Sequence, residues 1–244
     1  MPLPGPFYLI VLFAFLSEAV TGFGSTVISV TLGAHLLPLE QLLPIFVPAN
    51  MTLSVWILAK NHQHIDRRFL LKRMLPTLAI GMAIGLTVLS FAPPGPGLLI
   101  GYAAFVAVLA TVELLRKSER APSPEQSALA LVGGGIVHGL YGSGGPLIVW
   151  ASATKLANKS MLRATLAAVW LLLNTALLLK YASMGRLSGQ TLLASASLLP
   201  VVALALYFGE YLHRWVPAAA FKRLVYVLLL SGALSLLIRT ALKN

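Results

Sequence analysis

Two glycine-rich stretches are the residues of this sequence whose types and spacing best suit the binding of a ligand. They are Gly22-Phe23-Gly24-Ser25-Thr26 and Gly142-Ser143-Gly144-Gly145, which begin 120 positions apart, and each interrupts a long apolar run. Glycine favours a break in a helix. A helix that resumes after a break has unpaired N–H groups and about half a positive charge at its N-terminus. The pattern therefore predicts that both stretches bind a small anion.

Close packing is the alternative explanation for these glycines. Small residues four positions apart let two helices approach closely, and the chain has such pairs at Gly81 with Gly85 and at Gly135 with Gly139. The two glycine-rich stretches differ from these pairs, because they interrupt apolar runs at corresponding places in two parts of the chain. Paired interruptions of this kind indicate the binding site of a transporter. We therefore favour the binding role.

An ionisable residue precedes each glycine-rich stretch by four positions, about one helical turn. These residues are Glu18 and His138. An ionisable side chain inside a membrane usually faces a cavity, a proton path or a partner, and histidine titrates near neutral pH. This symmetry suggests that both residues take part in proton coupling. The alternative is that each is a neutral side chain that braces the broken helix.

Polar side chains on neighbouring apolar runs are candidates for further hydrogen bonds to the anion. They are Asn50, Asn174 and Thr175. A structural bond between helices is an equally good explanation for each of them. Three cations flank the run after the second stretch, and they either attract anions or anchor the chain by the positive-inside rule. These cations are Lys155, Lys159 and Arg163.

The composition predicts an all-α integral membrane protein. Of the 244 residues, 58% are hydrophobic and only 10% are charged, which is far outside the range of soluble domains. The apolar runs are about as long as the ~20 residues that cross a bilayer as a helix. They are apolar on all faces, whereas the strands of a membrane β-barrel alternate polar and apolar residues. A helical bundle is therefore expected.

Several functions are excluded by the same residues. The net charge of +11 comes from short basic clusters between apolar runs, as topology signals do, so nucleic-acid binding is rejected. The chain has no cysteine for thiol chemistry or for a metal site. Tyr141 stands where a G-x-S-x-G nucleophile elbow around Ser143 needs glycine. No enzyme activity, metal or cofactor is expected.

About eight hydrophobic segments are predicted, in two homologous repeats of four segments each. The first repeat covers residues 1–117, a linker covers 118–126 and the second repeat covers 127–244. Pro76 and Gly85 correspond to Pro200 and Gly209 at an offset of 124. The segments are residues 7–37, 41–60, 74–92, 97–115, 128–154, 160–182, 190–212 and 220–240.

The distribution of cations favours repeats of opposite orientation. If the first segment of each repeat breaks at its glycines and returns, 14 of the 18 Lys and Arg residues lie on one side of the membrane. If all eight segments span, that number falls to 12 of 18. Because cations collect on the cytoplasmic side, the sequence predicts inverted repeats, re-entrant first segments and a cytoplasmic linker.

The sequence resembles the TauE/SafE family of sulfite and organosulfonate exporters over nearly the whole chain. That family has a G-F-G-G-type motif early in each of two repeats, which corresponds here to residues 22–25 and 142–145, with Ser25 in place of the last glycine of the first motif. A second family pattern, a hydrophobe followed by Asp and a basic or aromatic residue, ends each repeat. The first copy is present as Ile65-Asp66-Arg67. The second copy, Leu187-Ser188-Gly189, departs from the family pattern.

The resemblance implies a multi-pass secondary transporter of the bacterial inner membrane, which exports small sulfur-containing anions by alternating access. It favours Asn174 among the candidate side-chain donors. The implied partners are a small anionic substrate and the lipid bilayer, and a homodimer is an open alternative to a monomer. A passive anion channel, an importer and a non-transporting membrane subunit are the alternative functions.

Overall fold

The computed structural model describes residues 2–91, 96–115, 122–153, 155–156, 158–215 and 218–242. Every regular element within these residues is helical, as the sequence predicts. A 3-10 turn (His62–His64) follows the third helix, and a π-helical stretch (Leu70–Met74) joins the fourth helix to the fifth. The α-helices are α1 (Gly5–Thr21), α2 (Ser25–Gly33), α3 (Leu39–Asn61), α4 (Arg67–Phe69), α5 (Leu75–Phe91), α6 (Pro96–Leu115), α7 (Pro124–Tyr141), α8 (Gly145–Ser152), α9 (Lys159–Ser183), α10 (Gly189–Ala196), α11 (Leu199–Trp215) and α12 (Ala218–Ala241).

Six helical stretches of the described residues are long and apolar enough to cross a membrane, which makes this a multi-pass membrane protein. They correspond to six of the eight predicted segments. The other two predicted segments are the broken ones, which form α1 with α2 and α7 with α8. The six stretches are Leu39–His64, Arg67–Phe91, Gly97–Leu115, Lys159–Ser183, Gly189–His213 and Arg223–Ala241.

The predicted linker, residues 118–126, overlaps the start of α7. Its residues 118–121 lie outside the described residues, and its residues 124–126 form the first turn of α7. Ser123 caps this turn, because its hydroxyl accepts the N–H of Gln126 at 3.2 Å and its own N–H bonds to the Gln126 side chain at 3.0 Å. Pro124 occupies the first helical position, where a missing N–H has no cost.

Both glycine-rich stretches break their helices at the predicted places. Gly22, Gly24 and Gly142 have φ angles of +86°, +103° and +64°, which lie in the left-handed region that residues with a Cβ avoid. The two upstream helices end in the same way. The N–H of Gly22 bonds to the carbonyl of Glu18, and the N–H of Gly142 bonds to the carbonyl of His138, each over 2.7 Å.

Two pairs of helices pack with their backbones in close approach. On α5 and α7, a Cβ placed on Gly85 would lie 3.1 Å from the Cα of Gly139, so both positions need glycine. On α1 and α11, a Cβ placed on Gly209 would overlap the side chain of Ala19. The packing role that we considered for glycine therefore applies to these helices, and also to Gly22 and Gly144 at the breaks, where an added Cβ would meet the backbone of Arg163 and of Gly134.

Helices α3 and α9 pack against each other in the centre of the bundle and run in opposite directions. Near the end of α3, the N–H of Asp66 bonds to the hydroxyl of Thr165 near the start of α9, over 3.1 Å. We call this end of the bundle, which carries Lys60, Asp66 and Lys159, the Lys159 face. At the opposite end, Leu39 of α3 shares a recess with Tyr181 of α9 and with Arg186. We call this end the Arg186 face.

Candidate functional site

The two helix breaks meet in the interior of the bundle. A Cβ placed on Gly142 would lie 3.5 Å from the Thr26 side chain, and a Cβ placed on Gly145 would lie 3.8 Å from Cβ of Phe23. Residues that are 120 positions apart in the sequence are therefore neighbours in space. The breaks form one site and not two.

A small cavity lies between the breaks. Its volume is about 10 Å³, which is near the minimum needed for one water molecule. Most of the predicted binding residues line it, together with both predicted ionisable residues. The lining residues are Glu18, Gly24, Ser25, Thr26, Val27, Asn50, His138, Gly142, Ser143, Gly145, Trp170 and Asn174.

The N-termini of the two short helices α2 and α8 both reach this cavity. Ser25, Thr26 and Val27 form the first turn of α2, and Gly145 begins α8. In the described part of the chain, neither N-terminus has a side-chain cap. The first N–H groups of a helix have no partner within the helix itself. Both ends therefore present donors and positive dipole ends to the same space.

A chain of buried polar side chains connects the two halves of the protein beneath the breaks. The carboxylate Oε2 of Glu18 accepts hydrogen bonds from the hydroxyl of Ser25 and, over 2.9 Å, from the amide of Asn50. The same amide of Asn50 also donates to the Ser25 hydroxyl over 2.9 Å. On its other side, Asn50 accepts the amide of Asn174 over 2.7 Å. Two of the three side-chain donors that we predicted for the anion, Asn50 and Asn174, are thus engaged with each other, and Asn50 also binds Glu18.

Several polar atoms at this site have no hydrogen-bond partner within the described residues. They are Oε1 of Glu18, Oδ1 of Asn174 and both ring nitrogens of His138. Asn174 and His138 interact, although the two ring nitrogens lie outside hydrogen-bonding geometry. Glu18, Asn174 and His138 are each at most 3% exposed. Buried polar groups without partners are costly, so these atoms are candidates for contact with water or a ligand.

Trp170 of α9 braces the site from the side. Its indole N–H donates to the carbonyl of Gly22 over 2.7 Å. Its ring also lies parallel to the imidazole of His138, with 6.0 Å between the ring centroids. Trp170 therefore holds the first break and contacts the helix before the second one. Trp170 was not among the site residues predicted from the sequence.

Tyr102 of α6 holds the second break from the opposite side. Its hydroxyl bonds to Ser143 over 3.1 Å and donates to the carbonyl of Val27 over 3.3 Å. Tyr102 is fully buried. It therefore links the loop of the second break to the first turn of α2. No sequence motif identified Tyr102 as a site residue.

Four predicted binding residues do not line the cavity. Gly22 packs against the backbone of Arg163, and Phe23 is buried against Gly145. A Cβ placed on Gly144 would collide with the carbonyl of Gly134 in the preceding helix. Thr175 is exposed, and its hydroxyl donates to the carbonyl of Leu171 over 2.7 Å. Gly22, Phe23 and Gly144 shape the breaks, whereas Thr175 faces away from them.

Comparison with known proteins agrees with this architecture. The family model described as "Sulfite exporter TauE/SafE" matches residues 7–236, which is nearly the whole chain. The comparison with curated proteins gives no match, and neither does the comparison with solved structures. The matched region contains both glycine breaks and every residue of the cavity. The chain therefore belongs to the TauE/SafE sulfite exporter family, which consists of membrane transporters and not of enzymes.

Proposed function

We propose that this protein is a secondary transporter that exports small sulfur-containing anions, such as sulfite or organosulfonates, across the inner membrane of a bacterium. The observation that carries this proposal is the meeting of two uncapped helix N-termini in one buried cavity. Backbone N–H groups at Gly24, Ser25 and Gly145 are the proposed donors to the anion. Such groups are effective in a water-excluded site because they are already oriented.

The contacts between helices support two inverted repeats. Helix α1 packs on α11, and α7 packs on α5, as expected if the repeats exchange equivalent helices. An offset of 124 relates Gly85 to Gly209, and an offset of 120 relates Ala19 to Gly139. The close approach of Gly85 to Gly139 in one pair of helices is therefore equivalent to that of Gly209 to Ala19 in the other pair. The central helices α3 and α9 run in opposite directions and carry the equivalent residues Asn50 and Asn174. This arrangement is typical of alternating-access transporters whose site lies between the repeats.

The orientation of the protein in the membrane follows from its cations. The Lys159 face lies beside residues 60–73 and 155–163, which together contain eight Lys and Arg residues. The positive-inside rule places such loops in the cytoplasm. We therefore infer that the Lys159 face is cytoplasmic and that the Arg186 face lies outside.

The volume of the cavity supports a carrier that changes conformation. A space of about 10 Å³ holds at most one water molecule, and a sulfur oxyanion is several times larger. An anion must therefore separate the walls of the cavity before it can bind. In our proposal α3 and α9 move apart, which also separates Asn50 from Asn174 and frees their amide groups for the anion.

Glu18 provides a route to proton coupling. An ionised Glu18 would repel an anion in the same cavity, and its Oε2 takes up the donors of Ser25 and Asn50. A protonated Glu18 removes the repulsion and releases these donors. We propose that protonation of Glu18 therefore raises the affinity of the site for the anion. His138 lines the same cavity, and its ring nitrogens, which have no hydrogen-bond partner within the described residues, are available to exchange a proton with Glu18 or to contact the anion.

Counterflow in proteoliposomes tests the proposed function. Vesicles loaded with unlabelled sulfite should accumulate labelled sulfite transiently, because a carrier exchanges one anion for another across the membrane. A passive channel gives flux without this trans-stimulation, and a non-transporting subunit gives no flux. Either outcome would overturn the proposal.

A thermal-shift series identifies the anion. Purified protein should melt at a higher temperature with its substrate, because a ligand that binds only the folded state stabilises it. Sulfite, sulfate, thiosulfate, methanesulfonate and acetate form the series. Stabilisation by cations alone would contradict an anion site.

A further inference from the structure

Arg163 is a buried cation that the proposed site does not use. Its side chain is only 5% exposed, although it lies one turn into α9 from the Lys159 face. Two of its guanidinium nitrogens, Nε and Nη2, have no hydrogen-bond partner within the described residues. A buried charge normally has close partners, since its removal from water is costly. This guanidinium therefore has capacity to bind a further group.

The acidic residues near Arg163 do not occupy its free guanidinium nitrogens. The carboxylates of Glu210 and Glu18 interact with it electrostatically, and the cation Lys159 also lies near it. Neither carboxylate forms an ion pair with it, because the salt bridge found in the described part of the chain joins Glu210 to Lys60 over 3.5 Å. Arg163 is thus attracted by two carboxylates but forms no close ion pair with either of them within the described residues.

Arg163 lies on the face of α9 that leads to the cavity. Arg163, Trp170, Asn174 and Tyr181 fall within about 20° of one line along the helix, which we call the α9 stripe. All four side chains are buried. Trp170 and Asn174 line the cavity, and Tyr181 lies in the recess at the Arg186 face. The stripe covers about 27 Å, close to the thickness of the hydrocarbon core.

The backbone at Arg163 also touches the first break. A Cβ placed on Gly22 would lie 3.0 Å from the Cα of Arg163, and Gly22 in turn bonds to Trp170. Arg163 does not line the cavity itself, so it lies next to the cavity on the side of the Lys159 face. An anion that moves from this face toward the cavity along α9 must pass it.

The positive charge of Arg163 has no counterpart at the equivalent position of the first repeat. The offset of 124 that relates Asn50 to Asn174 relates Leu39 to Arg163. Leu39 is buried at the Arg186 face. The path from the Lys159 face therefore has a guanidinium where the equivalent path from the other face has an apolar side chain.

We propose that Arg163 is a second anion-binding site, which captures the sulfur oxyanion between the Lys159 face and the cavity. This inference rests on the proposed function. The planar guanidinium has the geometry to bind two oxygens of a sulfite or sulfonate group at once. The anion would bind first to Arg163 and then move to the N–H groups at the breaks. Because Leu39 replaces the cation in the other repeat, the affinity for the anion should be higher from the Lys159 face.

Transport by Arg163→Gln, measured from each face, tests this proposal. We expect the KM for sulfite presented at the Lys159 face to rise about tenfold, which matches the loss of one charged hydrogen bond, and the KM from the Arg186 face to change much less. Arg163→Lys keeps the positive charge but not the planar guanidinium that binds two oxygens at once, so it should give an intermediate KM. Arg68→Gln removes an exposed arginine near the same face and is the matched control. An equal rise of KM from both faces, or none beyond the control, would overturn the proposal.

A second variant tests the same site with Arg163 intact. Glu210→Gln removes a carboxylate that attracts Arg163 and should lower the KM from the Lys159 face. Lys60→Gln removes the ion-pair partner of Glu210 and keeps that carboxylate. If Arg163→Gln does not fold, an unchanged KM in both Glu210→Gln and Arg163→Lys refutes the capture site. Wild-type protein that shows no counterflow refutes the proposed function instead, so the two failures are distinguishable.

Discussion

The amide of Asn174 donates a hydrogen bond to Oδ1 of Asn50 over 2.7 Å, and this bond joins the two central helices at the cavity. Both residues are at most 2% exposed. They occupy equivalent positions in the two halves of the sequence, at an offset of 124. The contact therefore marks the point where the two halves meet, directly beneath the two glycine breaks.

Replacement of Asn174 by Leu should lower both stability and transport. The change leaves the buried Oδ1 of Asn50 without its donor, which costs about 1–3 kcal/mol. Thermal unfolding of the purified variant and sulfite counterflow measure the two effects. Thr175→Val is the control, because this exposed side chain lies outside the cavity. A wild-type melting temperature for Asn174→Leu would contradict the role of this bond.

Glu18→Gln should make anion binding independent of pH. If the wild type binds the anion best when Glu18 is protonated, as we propose, its affinity for the anion should fall as the pH rises. Glutamine keeps an acceptor for Ser25 and Asn50 but cannot titrate. Methanesulfonate is the probe, because its own charge is constant between about pH 5 and pH 8. Identical pH profiles for the wild type, Glu18→Gln and His138→Gln would exclude proton coupling through these residues.

Gly85→Ala and Gly209→Ala should each destabilise the protein. Their added methyl groups would overlap the neighbouring helix, which typically costs about 1–3 kcal/mol. Gly97→Ala is the matched control, since no atom lies within 4 Å of a Cβ at that position. It should leave stability unchanged or slightly higher, because alanine favours a helix. Equal melting temperatures for all three variants would show that the backbones do not approach so closely.

Single cysteines at Gln63 and Ser188 should be labelled from opposite sides of the membrane. Both positions are exposed, and the natural chain has no cysteine that would react in their place. Inverted repeats place residue 63 in the cytoplasm and residue 188 outside. Eight simple spans would place both on the same side. Labelling with an impermeant maleimide in intact cells and in inverted vesicles decides between these topologies.

The sequence predicted the breaks well because their cause is local. Gly22, Gly24 and Gly142 adopt left-handed backbone conformations that other residues avoid. The glycines within the apolar runs therefore mark the positions of the breaks. Glu18 and His138, one turn upstream of the breaks, both line the cavity, since a fixed helical spacing carries them to the same place, and their role in proton coupling stays a prediction. Local rules were sufficient for these features.

The side chains on the neighbouring helices were harder to predict, because their direction depends on how the helices pack. Asn174 and Thr175 are adjacent in the sequence, yet they point about 100° apart around α9, so only Asn174 reaches the cavity. Trp170 is one turn from Asn174 and faces the same way. We missed it because tryptophan in membrane proteins is often an interfacial anchor. Its bond to Gly22 is a contact across 148 positions that no local pattern reveals.

The close backbone packing of α5 with α7, and of α1 with α11, bears on which parts of the protein move. Helices that interlock without intervening side chains resist sliding and separate with difficulty. Each interlocked pair takes one helix from each half of the sequence, and each carries one of the two breaks. The mechanical units of the transporter are therefore expected to differ from the two repeats that we propose. A cut within residues 116–121 would divide the chain into these proposed repeats, but both moving bodies would still contain helices from each fragment.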